Sequence, residues 1–174
     1  MKLLMAKNQR DYILSHVKSS MLEWGSGGST LYFLENLQNK KLTSIEHNEE
    51  WYKKIKNVIP KNTNHDYILI KGEHVGQNAT PYEENPSGLS SYINFNSNEK
   101  FDTILVDGVA RSSCLMMAYI KYPNATIFLH DANRNWYDHA ISLFGQVEII
   151  YPDVNDYPPL LAKLTNKKQT KPIL

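Results

Sequence analysis

The fold is decided by one stretch near the start of the chain, Leu22-Glu23-Trp24-Gly25-Ser26-Gly27-Gly28-Ser29-Thr30-Leu31. An apolar run at residues 21–24 leads into three glycines, and residues 30–37 then carry leucines at helical spacing. Glycine lets a backbone turn sharply and lets a ligand lie directly against main-chain amides. The stretch therefore predicts a strand, a ligand-binding loop and a helix in succession.

Strand-like and helix-like segments alternate along the rest of the chain. The predicted strands are residues 21–24, 42–46, 66–70, 101–107, 125–131, 147–151 and 160–164. The predicted helices are a leading helix within 1–18, then 30–37, 48–59 with Asn48 as its cap, a short one at 89–95, 112–122 and 136–144. This alternation predicts an α/β fold with a Rossmann-like, doubly wound, mostly parallel sheet of about seven strands. The last connection lacks a helical pattern, so we expect the last strand to be antiparallel to its neighbour.

Length and charge exclude several classes of protein. The chain has 174 residues, 41% of them hydrophobic, which predicts a single domain over residues 1–174. The net charge of +1 provides no field for binding nucleic acid, and no apolar stretch is long enough to span a membrane. The one cysteine, Cys114, lies in a helical apolar pattern and is predicted to belong to the core, where it can form no intrachain disulfide. We expect a cytoplasmic protein with no nucleic-acid partner and no membrane span, and its oligomeric state stays open.

Two segments lack a regular pattern. Residues 72–98 form an irregular insert rich in glycine and proline, and such inserts usually have a functional role. We therefore expect this insert near the site. Residues 166–174 are predicted to be a polar, solvated tail.

The candidate ligand site follows from where the predicted strands end. In an open parallel sheet, ligands bind beyond the carboxyl ends of the strands. Glu46 ends the second strand, where a carboxylate can accept both hydroxyls of a ribose. Glu23, beside the glycine loop, would repel a pyrophosphate and suits an ammonium group. Thr30 replaces the last glycine of the G-x-G-x-x-G pattern, so the dinucleotide fingerprint is incomplete.

Four segments of the chain form a recognisable set. They are the glycine-rich stretch quoted above, Ser44-Ile45-Glu46-His47-Asn48 with Trp51 close behind, Leu105-Val106-Asp107-Gly108 with Arg111 and Cys114, and Leu129-His130-Asp131 with Arg134. Together they resemble the class I S-adenosylmethionine-dependent methyltransferases over about residues 20–145. Within that family, the chain is most similar to the branch that includes the glucuronoxylan O-methyltransferases of plant cell walls.

The resemblance implies S-adenosylmethionine as methyl donor and a hydroxyl acceptor on a sugar, a glycan or another small molecule. It also implies a set of donor-binding residues: Glu23, Gly25, Ser26, Gly27, Ser29 and Thr30 around the methionine end, Glu46 at the ribose, His47 near the adenine, and Asp107.

The second half of the site must activate an acceptor, because a sugar hydroxyl is a poor nucleophile. Histidine titrates near neutrality, so His130 is the predicted general base, assisted by Asp107 or Asp131. The same three side chains are of the kinds that bind a divalent metal ion, and a metal-assisted acceptor is the alternative hypothesis.

Three further side chains are predicted to bind the acceptor. The planar donor forks of Arg111 and Arg134 suit an anionic or polyhydroxylated group. Trp136 offers an aromatic face to a sugar ring, and Tyr82, Tyr92 and Tyr137 flank the same loops.

Three other functions compete with methyl transfer to a small hydroxyl acceptor. A nicotinamide-dependent oxidoreductase is disfavoured by Thr30 and Glu23, and methylation of nucleic acid by the absence of a basic face and of an N-P-P-[YF] motif after the fourth strand. A methyltransferase-like domain that binds a nucleoside without turnover is disfavoured because Glu46, Asp107 and His130 are all present.

Overall fold

The structure is a computed structural model, and it describes residues 5–61, 63–72, 86–153 and 159–166. Several sequence-based expectations lie outside these residues: the start of the leading segment, residues 73–85 of the irregular insert including Tyr82, and nearly all of the polar tail.

One sheet organises the described residues. Its seven strands are β1 Ser20–Trp24, β2 Lys41–Glu46, β3 His65–Leu69, β4 Thr103–Val106, β5 Thr126–His130, β6 Gln146–Ile150 and β7 Leu161–Thr165. They are ordered β3-β2-β1-β4-β5-β7-β6. The first five run parallel, and β7 is antiparallel to both of its neighbours. The predicted Rossmann-like sheet with an antiparallel last strand is confirmed.

Helices connect the strands at the predicted places. They are α1 Lys7–His16, α2 Gly28–Asn36, α3 Glu49–Lys56, α4 Ser90–Ile93, α5 Arg111–Lys121 and α6 Asp138–Ile141, with 3-10 turns at Pro86–Leu89 and Asn135–Tyr137. The Asn48 side chain accepts a hydrogen bond from the Trp51 backbone N–H at 2.9 Å, which confirms the predicted cap of α3. The helix predicted at 136–144 is shorter, because Gly145 is already bonded to Thr165 at the start of the β6–β7 pairing.

The two faces of the sheet are covered by separate hydrophobic clusters. Along β4, Ile104 and Val106 pack with α4, α5 and α6 on one face, and Leu105 packs with α1 and α2 on the other. Alternate side chains of a strand point to opposite faces, so a strand that is apolar throughout requires both faces to be covered. Cys114 is fully buried in the first cluster, as predicted. Within the described residues, no helix combines the length and apolar character needed to cross a membrane.

The loops after β1 and β4 are in direct backbone contact. Gly25 has a φ of +89°, and a Cβ placed on it would lie 2.3 Å from the Cα of Gly108 and 2.5 Å from its backbone nitrogen. A side chain at Gly108 would in turn lie 2.2 Å from the Tyr92 hydroxyl. Both positions therefore require glycine, Gly25 for its conformation as well as for space.

We predict that Gly25→Ala destabilises the fold by roughly 2–5 kcal/mol, since left-handed backbone strain and overpacking act together. The measurement is the free energy of unfolding in urea. Gly27→Ala is the matched control, because a Cβ at Gly27 would meet no atom within 4 Å. Equal stability of the two variants would contradict the prediction.

Candidate active site

The carboxyl ends of β1, β4 and β5 border a cleft of about 450 Å³. Chain order reverses at β1, which lies between β2 and β4, and such a switch point is where open α/β sheets bind ligands. The cleft is lined by Met5, Ser26, Gly27, Gly28, Ser29, Trp51, Asp107, Arg111, His130, Asp131, Arg134 and Pro159. The structure thus brings the glycine loop and most of the predicted acceptor-side residues to one place.

Glu23 lies beneath the glycine loop and is fully buried. Its carboxylate accepts hydrogen bonds from the hydroxyls of Ser29 at 2.8 Å, Thr30 at 2.8 Å and Ser44 at 2.7 Å. Burial raises the pKa of Glu23 to about 7, although the three hydroxyls oppose the shift. Contact with a ligand ammonium group, as predicted from the sequence, would require one of these hydroxyls to be displaced. The observed arrangement makes Glu23 an anchor for the first turn of α2.

Thr30 connects this buried network to the loop. Its hydroxyl donates to Glu23 and accepts a hydrogen bond from the Gly27 backbone N–H at 2.8 Å. Thr30 therefore holds the loop in shape from below, at the position where a dinucleotide fingerprint has glycine. In the sequence, this network is indicated by the adjacent hydroxyl residues Ser29 and Thr30, which lie at interior positions of α2.

Glu46 lies beside the same loop, at the end of β2. One of its oxygens accepts from the backbone N–H groups of His47 at 3.0 Å and Asn48 at 2.9 Å. The other accepts from Ser26, from its N–H at 3.1 Å and its hydroxyl at 2.8 Å. Burial raises the pKa of Glu46, but hydrogen bonds from His47, Asn48 and Ser26 outweigh it and hold the pKa below its usual value. Glu46 is therefore a fixed negative charge at the loop.

Trp51 is a site residue to which sequence reasoning gave no role in the cleft. Its indole N–H donates to the Ser26 carbonyl at 2.7 Å, and its ring lines the cleft. Tyr67 adds a second contact, with its hydroxyl 2.7 Å from the Ser26 hydroxyl. Two aromatic side chains thus fix the position of Ser26.

His130 and Asp107 form a hydrogen-bonded pair across the ends of β5 and β4. The His130 Nδ1 lies 2.8 Å from an Asp107 carboxylate oxygen. Burial raises the pKa of Asp107, but the charges of His130 and Arg111 outweigh this and keep the pKa below its usual value. In the neutral imidazole, a carboxylate at Nδ1 keeps the proton on that nitrogen and leaves Nε2 as an acceptor. This Nε2 is buried and has no hydrogen-bond partner among the described residues.

Arg111 ties the ends of β4 and β5 together. Its guanidinium donates to the backbone carbonyls of Gly108 at 2.8 Å, His130 at 2.6 Å and Asp107 at 3.1 Å. It also donates to the Asp131 carboxylate at 2.9 Å. These bonds make Arg111 a residue that positions the His130–Asp107 pair, and its predicted contact with the acceptor stays a prediction.

Arg134 and Asp131 form the outer wall of the cleft. The Arg134 guanidinium lies 2.7 Å from an Asp131 oxygen. Asp131 has a φ of 58°, an uncommon conformation for a residue with a side chain. Trp136 is 53% exposed and lies beside Arg134, 5.8 Å from the guanidinium carbon, but it does not line the cleft. Tyr92 and Tyr137 are fully buried in the core, so their expected role as sugar platforms was wrong.

The alternative of a metal site does not fit this arrangement. In the part of the chain that the structure describes, no three His, Cys, Asp or Glu side chains are grouped to hold a metal ion. The carboxylates of Asp107 and Asp131 are instead engaged by His130, Arg111 and Arg134. We therefore derive no step through a metal.

Comparisons with known proteins bear on the fold. No family model and no curated protein matches the sequence. Among solved structures, a methyltransferase-like protein of Silicibacter pomeroyi is 18% identical with a TM-score of 0.65, covering 94% of this chain and 88% of its own. The N-methyltransferase NodS of Bradyrhizobium japonicum is 16% identical with a TM-score of 0.58, covering 91% of this chain and 94% of its own.

The chain has the class I methyltransferase fold. A third match is fibrillarin of Aeropyrum pernix with natively bound S-adenosyl-L-methionine, which is 12% identical with a TM-score of 0.57. That match covers 84% of this chain and 66% of the fibrillarin chain. Structural similarity at such low sequence identity establishes the fold and not the activity.

The buried Glu23 predicts a specific pH dependence of stability. The folded protein holds the Glu23 proton more tightly than the unfolded chain, so this group's contribution to stability is lost as the pH rises from about 4.5 to about 7. We expect the loss to be about 2–4 kcal/mol in the wild type and absent in Glu23→Gln. Urea unfolding between pH 4 and pH 8 measures it.

The control for this experiment is Glu35→Gln, which removes an exposed carboxyl from α2. This variant should keep the wild-type pH dependence. Parallel stability curves for the wild type and Glu23→Gln would refute the assignment of the titration to Glu23.

Proposed function

We propose that the protein is an S-adenosylmethionine-dependent methyltransferase that transfers a methyl group to a hydroxyl of a sugar, a glycan or a similar small molecule. One observation carries the proposal. The glycine loop and the His130–Asp107 pair line the same cleft, so a donor on the loop and an acceptor at the histidine can meet there.

The residues of the loop fit the donor. A Cβ at Gly27 would meet no atom within 4 Å, so the backbone at that position borders open space. Among the residues that the structure describes, Ser26 is the one that bonds Glu46 through a side-chain hydroxyl. Rotation of that hydroxyl frees a carboxylate lone pair for a ribose hydroxyl. We therefore assign the methionine end of the donor to residues 26–29 and its ribose to Glu46, with His47 nearer the adenine. When bound, the donor supplies an electrophilic methyl carbon.

His130 performs the proton transfer in this proposal. The acceptor oxygen forms its bond to the methyl carbon as the carbon–sulfur bond breaks, and the hydroxyl proton passes to Nε2 of His130. Asp107 stabilises the resulting imidazolium through Nδ1, and Arg111 keeps both residues in place through their backbone carbonyls. Positioning of this kind supplies much of the rate gain in a two-substrate transfer.

The acceptor is assigned to the outer wall of the cleft, where Arg134 pairs with Asp131, and Trp136 lies just outside the cleft beside Arg134. Donor forks and an exposed indole face suit a polyhydroxylated ring. The cytoplasmic location inferred from the sequence stays a prediction. The competing hypothesis is a domain that binds the nucleoside without catalysing methyl transfer. In that hypothesis His130 has no role.

The first test is calorimetric titration with S-adenosylmethionine and S-adenosylhomocysteine, with NAD as the contrasting nucleotide. We predict selective binding of the two sulfur nucleosides, and an affinity lowered by ~1.5–3 kcal/mol in Glu46→Ala, the scale of a charged hydrogen bond. Glu50→Ala, at an exposed acid of the following helix, should bind as the wild type does. Preferential binding of NAD would overturn the proposal.

The second prediction concerns turnover. With methyl-labelled donor and a panel of sugars, His130→Ala should lower the rate of methyl transfer by about 10²–10⁴-fold, the usual contribution of a general base. Donor affinity should stay within a few-fold of the wild type, because His130 handles the acceptor proton. His139→Ala, at an exposed histidine, is the control. Unchanged turnover in His130→Ala would remove His130 from the mechanism.

A further inference from the structure

Ser26, in the glycine loop, has a main chain that is fixed from both sides. Its backbone N–H donates to Glu46 at 3.1 Å, and its carbonyl accepts the indole N–H of Trp51 at 2.7 Å. The hydroxyl of Ser26 has two partners, a Glu46 oxygen at 2.8 Å and the Tyr67 hydroxyl at 2.7 Å. The hydroxyl is therefore the part of Ser26 that can change partner while the loop keeps its place.

Both carboxylate oxygens of Glu46 already accept two hydrogen bonds. One oxygen accepts from the backbone N–H groups of His47 and Asn48, and the other accepts from the N–H and the hydroxyl of Ser26. A carboxylate oxygen has two lone pairs in its plane. A ribose hydroxyl can therefore bond Glu46 without displacing a backbone N–H only where the Ser26 hydroxyl now bonds. The displaced hydroxyl then needs another acceptor.

The Tyr67 hydroxyl is an acceptor already in place beside Ser26. A hydroxyl carries one proton, and Ser26 gives its proton to Glu46, so Tyr67 is the donor in the bond between the two hydroxyls. When Ser26 turns its proton to Tyr67 instead, this bond reverses direction while both oxygens keep their positions. Tyr67 is half-buried, so its own proton can then turn to solvent.

The ring of Tyr67 is fixed by its neighbours. The Tyr52 ring of α3 stacks on it at 4.4 Å between centroids, and the Tyr52 hydroxyl donates to the Tyr67 carbonyl at 3.2 Å. The His65 ring, two residues earlier on β3, also stacks with it at 5.4 Å. Burial raises the pKa of Tyr67, although the bond to Ser26 opposes the shift, so the hydroxyl stays protonated at neutral pH. Its oxygen is thus held at a constant distance from Ser26.

We propose that Tyr67 is a positioning residue for ribose recognition: it receives the Ser26 hydroxyl when a ribose hydroxyl takes its place on Glu46. The inference rests on the function proposed above and makes Tyr67 a determinant of selectivity for ribose over deoxyribose. Tyr67 acts through Ser26 and touches no reacting atom. A phenyl ring at position 67 offers no acceptor, so the Ser26 hydroxyl would then stay on Glu46 and compete with the ribose.

The test compares adenosine with 2′,3′-dideoxyadenosine, which lacks both ribose hydroxyls, in calorimetric titrations beside S-adenosylhomocysteine. Tyr67→Phe should bind adenosine and S-adenosylhomocysteine about 3- to 10-fold more weakly than the wild type, the scale of one neutral hydrogen bond. Its affinity for 2′,3′-dideoxyadenosine should be unchanged, whereas a purely structural role of Tyr67 would weaken binding of all three ligands. Tyr52→Phe is the matched control, because it removes the hydroxyl of the stacked ring, which does not contact Ser26, and it should bind as the wild type does.

A double-mutant cycle tests whether Tyr67 acts through Ser26. Ser26→Ala removes the hydroxyl that competes for Glu46, so this variant should bind adenosine at least as tightly as the wild type. In the Ser26→Ala background, Tyr67→Phe should have no further effect, because the hydroxyl that Tyr67 receives is gone. Equal weakening by Tyr67→Phe with and without the Ser26 hydroxyl overturns the proposal, as does equal weakening for adenosine and 2′,3′-dideoxyadenosine.

The two proposals fail in different ways. If the wild type binds S-adenosylhomocysteine and Tyr67→Phe binds every ligand as the wild type does, the role of Tyr67 is wrong and the proposed function stands. If the wild type binds neither S-adenosylhomocysteine nor adenosine, both proposals are wrong. If Tyr67→Phe does not fold, Ser26→Ala decides alone: weaker binding of adenosine than in the wild type would contradict a competing hydroxyl.

Discussion

The contact between the backbones of Gly25 and Gly108 is the constraint on which the rest of the site depends. It joins the loop after β1, which carries the proposed donor site, to the loop after β4, which carries Asp107, with no side chain between them. The spacing of the two halves of the cleft is therefore set by main chain rather than by adjustable rotamers. Tyr92 packs against the same point from the core, so α4, which carries this residue, contacts the loop after β4.

Two buried carboxylates act on the glycine loop in different ways. Glu23 accepts hydrogen bonds from side-chain hydroxyls beneath the loop, and burial raises its pKa to about 7. Glu46 accepts hydrogen bonds from backbone amides beside the loop, and its pKa is lowered, so it keeps its charge. The first supports the shape of the loop from the interior, and the second fixes the position of Ser26 and is the proposed contact for the donor's ribose. Functional groups held by such a surrounding shell of hydrogen bonds need little reorganisation when a ligand binds. The burial of Glu23 also makes the stability of the fold depend on pH near neutrality.

Sequence periodicity was sufficient for the sheet, because alternating apolar strands and amphipathic helices follow from local rules. The rule that ligands bind at the carboxyl ends of strands also predicted residues of the cleft, including His130 and Asp107. The direction of individual side chains was not predictable in this way. Arg111 is engaged by carbonyls that come together only when β4 and β5 pair, and Glu23 is engaged by a hydroxyl from β2. Arg10 of α1 is buried against the Tyr32 ring of α2, and its position depends on how the two helices dock, which local patterns do not encode.

Cys114 is the one cysteine of the chain, and it lies fully buried in α5, three residues after Arg111. A thiol reagent can reach it only when α5 separates from the sheet. The rate at which the native protein is labelled therefore reports the local opening of the helix whose first residue, Arg111, holds the His130–Asp107 pair in position. The same burial leaves the folded surface free of competing thiols, so a cysteine introduced at the cleft rim can carry a single fluorescent label that follows ligand entry.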